Sequence, residues 1–109
     1  MSFVWVTMYS MVYSTAADEE EGKRIGRSVI AEKLAACVNI FPIKSIYWWK
    51  GKIEKADEQA MIFKTKSELV PSVIEKIQEE STYEVPCAVS YEMSGGGKNY
   101  LEWIEDSTA

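Results

Sequence analysis

The sequence of 109 residues contains no histidine, and this absence excludes several kinds of functional site. Histidine is the commonest metal ligand in proteins and the usual general base near neutral pH. Without it, neither a Ser-His-Asp triad nor a Cys-His pair can form. We therefore expect a binding protein rather than an enzyme.

Cysteine is also scarce. Cys37 and Cys87 lie fifty residues apart, without the CxxC spacing of a zinc site. We expect both thiols to be reduced, and each of them is an ordinary core residue unless a ligand role is demonstrated.

Long apolar runs are missing as well. No stretch approaches the 18 or more apolar residues of a membrane span. The first fifteen residues are apolar but lack the basic region and the cleavage pattern of a signal peptide. We interpret Phe3–Tyr13 as the first strand of a cytoplasmic protein.

Basic residues are outnumbered, since 12 lysines and arginines face 17 acidic residues, for a net charge of −5. A negative chain repels the phosphate backbone, so we expect no nucleic-acid partner. The segment Gly95–Lys98 is not a phosphate-binding loop, because Glu92 and Asn99 stand where that motif needs glycine and a hydroxyl residue.

What the chain does contain is a long hairpin between Leu34 and Thr65. The pattern predicts a strand at Ala35–Ile40, an interruption of its hydrogen-bond ladder at Pro42, and a β-rich continuation through Ile43–Trp49. Lys50-Gly51 predicts the turn, because glycine accepts a positive φ.

The part from Ile43 to Trp49 would extend about 23 Å. A two-stranded arm is only marginally stable in water by itself. Because this one carries Trp48 and Trp49, we expect it to lie against another subunit.

Two helices and a further strand are predicted around the hairpin. Thr15–Asp18 matches a capping pattern for the first helix, in which Gly22 and Gly26 suggest close packing against the sheet. Ser67 is the predicted cap of the second helix, and Pro71 fits its first turn.

The alternation in Val85–Met93 predicts a half-buried last strand. A short final helix follows, lined by Tyr100, Trp103 and Ile104.

Together these elements predict one α+β domain over residues 1–109, with the split βαβ order β-α-β-β-α-β, an extended β2–β3 hairpin and a C-terminal helix. Two helices should cover one sheet face and leave the other bare, which favours an oligomer. The usual strand order 4-1-3-2 places Cys37 and Cys87 on opposite edges, so we expect no internal disulfide.

The segments LAACVNIFP, SIYWWKGKIE, KTKSELVP, TYEVP and YLEWI resemble the CutA family of divalent-cation-tolerance proteins. The resemblance implies a ferredoxin-like fold, a closed homotrimer and a role in handling divalent metals, copper above all. The family often has histidine and proline before the TYEVP-like motif and glutamate after it, whereas this chain has Ser81, Thr82 and Cys87 there. Ser14 stands where some members have cysteine.

Other positions match the family pattern and are expected to form clefts between subunits. They are Cys37, Tyr47, Trp48, Trp49, Lys50, Lys64, Tyr83, Glu84, Pro86 and Trp103.

Sulfur ligands favour Cu(I). Our hypothesis is a copper or other divalent-metal site formed by Cys37, Glu84 and Cys87 across a subunit interface, with no other cofactor required. The alternative is a trimeric scaffold or signalling adaptor that binds a small ligand or partner in its clefts and in which metal binding is incidental.

Overall fold

The elements follow the predicted order in a computed structural model that describes residues 8–109. They are β1 (Tyr9–Ala16), α1 (Glu19–Ala31), β2 (Cys37–Trp49), β3 (Lys52–Lys66), a 3-10 turn (Ser67–Leu69), α2 (Val70–Glu80), β4 (Ala88–Glu92) and α3 (Lys98–Ser107). The α+β, ferredoxin-like class predicted from the sequence is confirmed. Among these helices, none has the length and apolar character needed to cross a membrane.

The four strands form one antiparallel sheet in the order β2-β3-β1-β4. This confirms the predicted order 4-1-3-2. Cys37 begins the edge strand β2, Cys87 directly precedes the opposite edge strand β4, and both thiols are free. Because β3 and β1 lie between them, the two cysteines are about 14 Å apart across the sheet, too far for an internal disulfide.

The core lies between one sheet face and helices α1 and α2. Val12 of β1 and Phe63 of β3 are directly paired on this face, and both are fully buried. Gly26 of α1 lets the helix approach β2, because an added Cβ would lie 3.0 Å from Val38 Cγ1. The predicted use of this glycine in close packing is therefore confirmed. The other buried apolar residues of the core cluster are Ala16, Ile25, Val29, Ala35, Met61, Val73 and Ile77.

The sequence predicts that the opposite sheet face is bare. This prediction is wrong, because α3 partly covers that face. The register places Cys37, Lys64 and Met11 in one row of this face. Tyr100 of α3 lies over that row, with its hydroxyl 3.6 Å from Cys37 Sγ, and Ile104 of α3 is fully buried. Val89 and Tyr91 of β4, on the same face, stay exposed.

The last strand is shorter and more exposed than predicted. β4 comprises only Ala88–Glu92, and Val89 and Tyr91 are 44% and 59% exposed. Val89 is paired with Tyr13, on the face away from α1 and α2. The predicted half-buried side therefore points away from this chain's own core.

The first strand and the start of α1 also differ from expectation. The described strand runs from Tyr9 to Ala16, whereas residues 3–7 of the predicted strand lie outside the described residues. Thr15 is a buried strand residue and does not cap the helix. Asp18 is the cap, since its side chain accepts from the Glu21 N–H at 2.8 Å. The sequence pattern therefore predicts the helix cap at Thr15, three residues before the observed cap, Asp18.

Ser67 likewise does not cap α2. It is the first residue of the 3-10 turn that precedes the helix, and Leu69 occupies the cap position without a side-chain hydrogen bond. Ser67 Oγ instead lies 2.6 Å from Ser10 Oγ of β1. Pro71 is in the first turn of α2, as predicted.

The hairpin extends beyond the sheet as an arm, defined here as residues 43–58. β2 is continuous through Pro42, contrary to the predicted interruption, because an edge strand tolerates a residue without an N–H. Lys50 and Gly51 form the predicted turn, with φ of 50° and 79°. Pairing of β3 with β1 ends at Gln59, so the arm has only two strands.

The arm makes the molecule long for its size. Its extents are 56 × 27 × 24 Å, and its radius of gyration is 15.3 Å. A compact chain of this length would have a radius of gyration of about 13 Å. Much apolar surface therefore lies away from the body of the chain.

Replacing Phe63 with alanine should lower the free energy of unfolding by about 3–5 kcal/mol, because the ring is fully buried and would leave a cavity. Urea denaturation at one fixed protein concentration would measure this loss. Phe63→Leu, which keeps most of the volume, should lose clearly less; equal losses would contradict the packing.

Candidate functional site

The candidate site lies where the segment between α2 and β4 crosses the base of the arm. We call residues 81–87 the connecting segment. It has no regular secondary structure and carries Tyr83, Glu84, Pro86 and Cys87, all of which were singled out from the sequence. The site is therefore built around a loop held against a sheet.

Tyr83 reaches from this segment to the arm. Its hydroxyl donates to Glu58 Oε2 at 2.5 Å. Glu58 is paired with Ile43, one position beyond the end of the β1–β3 pairing, and so marks the base of the arm. Burial and then the hydrogen bond to Glu58 raise the pKa of Tyr83 well above its ordinary value. Tyr83 is thus a neutral donor that fastens the segment to β3.

Cys87 ends the same segment. Its carbonyl accepts a hydrogen bond from the buried Ser14 hydroxyl at 2.6 Å, which ties the segment to β1. Burial, followed by the negative charge of Glu58, raises the pKa of the Cys87 thiol. The pKa of Tyr13 is raised as well, first by burial and then by the nearby Cys87 and Glu58. The thiol is therefore held in its protonated form, which is a poor metal ligand.

Glu84 reaches the turn at the tip of the arm. Its Oε2 lies 3.7 Å from Lys50 Nζ, and both side chains are about 70% exposed (68% and 71%). Such an exposed ion pair contributes little to stability. Lys50 Nζ also lies 5.5 Å from the centroid of the Trp49 ring.

Cys37 belongs to a separate group on the other edge of the sheet. Its Sγ is 3.6 Å from the Tyr100 hydroxyl, and burial followed by this contact raises the pKa of Tyr100 to about 12. Lys64 Nζ donates to Asn39 Oδ1 at 2.5 Å and lies 6.0 Å from the Tyr100 ring. Trp103 packs against Tyr100 with ring centroids 5.6 Å apart.

The remaining predicted residues lie on the arm and beside it. Trp48 is 73% exposed and Tyr47 is 41% exposed, while Trp49 and Pro86 are half-buried. Trp48 is paired with Ile53, and Ile46 lies two positions away on the same arm face. These side chains form an apolar surface rather than a polar pocket.

The predicted metal ligands do not meet within one chain. Within residues 8–109 there is no group of three histidine, cysteine, aspartate or glutamate side chains that could hold a metal ion. Cys37 and Cys87 lie at opposite sheet edges, and Glu84 is directed to Lys50. Any site that uses these donors together needs more than one chain.

Ser81 and Thr82 occupy the places where the resemblance leads one to expect histidine and proline, and both have structural partners. Ser81 Oγ accepts from the Tyr83 N–H at 3.1 Å. The Thr82 N–H donates to Glu21 Oε2 at 3.2 Å, and the Thr82 hydroxyl donates to the same oxygen. These residues shape the connecting segment.

The sequence analysis did not identify Glu58 as a site residue. It placed Tyr100 only on the final helix and did not predict its contact with Cys37. Glu58 shares a strand face with Ala60, which is buried. The available signal was a charged residue, Glu58, on the same strand face as a buried alanine. Nothing in the local sequence, however, indicates that Glu58 contacts Tyr83. Glu58 also borders an open groove of about 500 Å³ that lies beside the start of α1 and is lined by residues 17–19, 42–44 and 57–59.

Comparison with known proteins places these features in context. A family model described as CutA1 divalent ion tolerance protein matches residues 10–107. The divalent-cation tolerance protein CutA of Archaeoglobus fulgidus is 45% identical over 100 residues, which cover 92% of this chain and 98% of that protein. The chloroplastic protein CutA 1 of Oryza sativa is 43% identical over 99 residues, which cover 90% of this chain but only 56% of the plant protein.

The solved structures agree. One of them, described as the periplasmic divalent cation tolerance protein CutA from Archaeoglobus fulgidus, has a TM-score of 0.90 and 45% identity. The match covers 92% of this chain and 98% of that one. Both the ferredoxin-like fold and the family resemblance are confirmed.

In a Cys37→Ser background, alkylation of Cys87 by iodoacetamide should be slow at neutral pH and should accelerate with a midpoint above that of an ordinary thiol. The reason is that burial and Glu58 raise its pKa. Glu58→Gln should lower the midpoint. The matched control is Asp57→Asn, which changes an exposed neighbour paired with Lys44 and should leave the midpoint in place. A midpoint at or below that of free cysteine would contradict this description.

Proposed function

Because this chain belongs to the CutA1 family of divalent ion tolerance proteins, we propose that it serves divalent-cation tolerance as a homotrimer that binds a metal ion, copper in the first place. It acts by binding rather than by catalysis and needs no other cofactor. Its partner is a further copy of itself, and the net charge of −5 argues against nucleic acid.

The observation that carries the homotrimer is the exposed apolar surface of the arm. Ile46, Trp48 and Ile53 are 71%, 73% and 61% exposed and lie together on one arm face. A two-stranded arm is only marginally stable in water by itself, and an exposed apolar surface of this kind is typical of an interface. A closed ring of subunits would cover it and would also pair the free edges of β2 and β4.

The same arrangement would bring the candidate ligands together. Cys37 starts one sheet edge, and Cys87 precedes the other. If β2 of one chain adjoins β4 of the next, the Cys37 thiol approaches the Cys87 thiol and the connecting segment of its neighbour. Two thiols and one carboxylate without imidazole are a donor set that suits soft Cu(I) better than Zn(II).

The raised pKa of Cys87 limits this fit. A thiol binds metal as the thiolate, so binding must displace a proton. Metal affinity that depends on Cys87 should therefore rise with pH through the neutral range and beyond it.

A second candidate function is a trimeric scaffold or adaptor whose clefts hold a small ligand or a partner protein. It is favoured by the lack of a three-ligand group in residues 8–109 and by the engagement of Glu84 with Lys50. In this case metal binding would be weak and incidental.

The cytoplasmic location expected from the sequence stays a prediction. One relative is named for the chloroplast and one solved structure for the periplasm, so family membership does not decide the compartment.

Sedimentation at micromolar concentration should find the parent chain as a trimer. Trp48→Ala should weaken association by about 3–5 kcal/mol if the ring is buried between chains. Glu79→Ala is the control, because Glu79 is an exposed residue of α2, away from the arm, and should have little effect. A well-folded monomer of the parent chain would refute the trimer.

An anaerobic Cu(I) titration against a strong competing chelator should find a single saturable site per chain, with affinity that falls on acidification. The Cys37→Ser/Cys87→Ser variant should lose this site. Met61→Leu removes a sulfur atom from the core and should keep it. Weak binding that survives the double substitution would favour the scaffold function instead.

A further inference from the structure

The connecting segment is held by a buried carboxylate that the predicted site residues do not include. Glu21 of α1 is only 6% exposed. Its Oε1 accepts from the Ala17 N–H at 3.1 Å, which completes the helix cap. Its Oε2 accepts from both the N–H and the hydroxyl of Thr82, 61 residues further along the chain.

Capping alone does not account for this geometry. One oxygen would suffice for the cap, and the other is directed at the connecting segment. Arg24, one turn further along α1, reinforces the contact: its guanidinium donates to the Glu80 carbonyl at 2.9 Å, where α2 ends. The start of the connecting segment is therefore fixed to α1 by a carboxylate and a guanidinium.

The residues that follow Thr82 belong to the candidate site. Thr82 precedes Tyr83, whose hydroxyl donates to Glu58 at the base of the arm. Glu84 follows and extends to Lys50 at the arm tip. The contacts of Thr82 with Glu21 therefore stand directly before Tyr83 and Glu84, whereas Cys87 is fixed separately by its hydrogen bond from Ser14.

We propose that Glu21 is a positioning residue of the candidate site, which acts through Thr82 to hold Tyr83 against Glu58 and to place Glu84. The inference rests on the proposed function in that it concerns the segment carrying the candidate ligands. It assigns to an α1 carboxylate a role beyond that of helix cap.

The test follows the titration of the Tyr83 hydroxyl itself. The chain is labelled with 3,5-difluorotyrosine, whose phenol is several pH units more acidic than that of tyrosine, so that even the raised pKa of Tyr83 is brought into a pH range in which the chain can stay folded. Fluorine NMR then follows each tyrosine, and the Tyr83→Phe variant identifies the resonance of Tyr83. The variants are Thr82→Val, Glu21→Gln and the control Glu20→Gln, which removes an exposed carboxylate from the same turn.

Thr82→Val is the decisive variant. Thr82 is exposed, so the chain should fold, and the charge of Glu21, which itself contributes to the raised pKa of Tyr83, is retained. Loss of the hydroxyl bond should loosen the Tyr83–Glu58 contact and lower the titration midpoint by about one pH unit. Glu21→Gln should lower it at least as much, and Glu20→Gln should leave it unchanged. An unchanged midpoint in folded Thr82→Val would overturn the proposal, whatever Glu21→Gln does.

Copper binding by the same variants separates this inference from the proposed function. If the parent chain binds Cu(I), Thr82→Val should weaken binding by roughly tenfold, as expected when a group that orients a ligand is removed. If the parent chain binds none, the metal proposal fails, and the Tyr83 titration still decides whether Glu21 positions the segment.

Discussion

The pairing of β2 with β3 over thirteen positions, from Cys37↔Lys64 to Trp49↔Lys52, is the constraint on which the rest of the structure depends. β1 pairs with only the last part of β3, from Gln59 onward. The unmatched length has to leave the body of the sheet as a two-stranded arm. The arm in turn creates an exposed apolar surface at its tip and a polar junction at its base.

The junction explains why the candidate site contains a loop. A sheet edge whose neighbour ends early offers backbone and side chains that need partners. The connecting segment supplies one such partner by placing Tyr83 on Glu58, and its Glu84 reaches Lys50. These two contacts of the arm with its own chain are polar, whereas the arm face with Ile46, Trp48 and Ile53 is exposed.

The distribution of sulfur follows from the same topology. With β3 and β1 in the centre, Cys37 and Cys87 occupy opposite edges and different chemical surroundings. Cys37 contacts the Tyr100 hydroxyl, and Cys87 lies near the carboxylate of Glu58. A single chain therefore presents two separate thiols, and only an assembly that joins unlike edges would make them one site.

The sequence by itself determined the order of the elements, the turn at Lys50-Gly51, the length of the arm and the lack of any imidazole chemistry. These follow from local periodicity, from the φ that glycine permits and from composition, none of which needs knowledge of distant neighbours. Tertiary structure alone decided that Glu58 meets Tyr83, that Glu21 holds Thr82 and that Tyr100 covers Cys37. The partners in these contacts are 25, 61 and 63 residues apart, so they depend on the path of loops and on sheet order. For the same reason the sequence wrongly predicts Thr15 and Ser67 as helix caps. Both are residue types that commonly cap helices, but Thr15 belongs to strand β1 and Ser67 to the 3-10 turn.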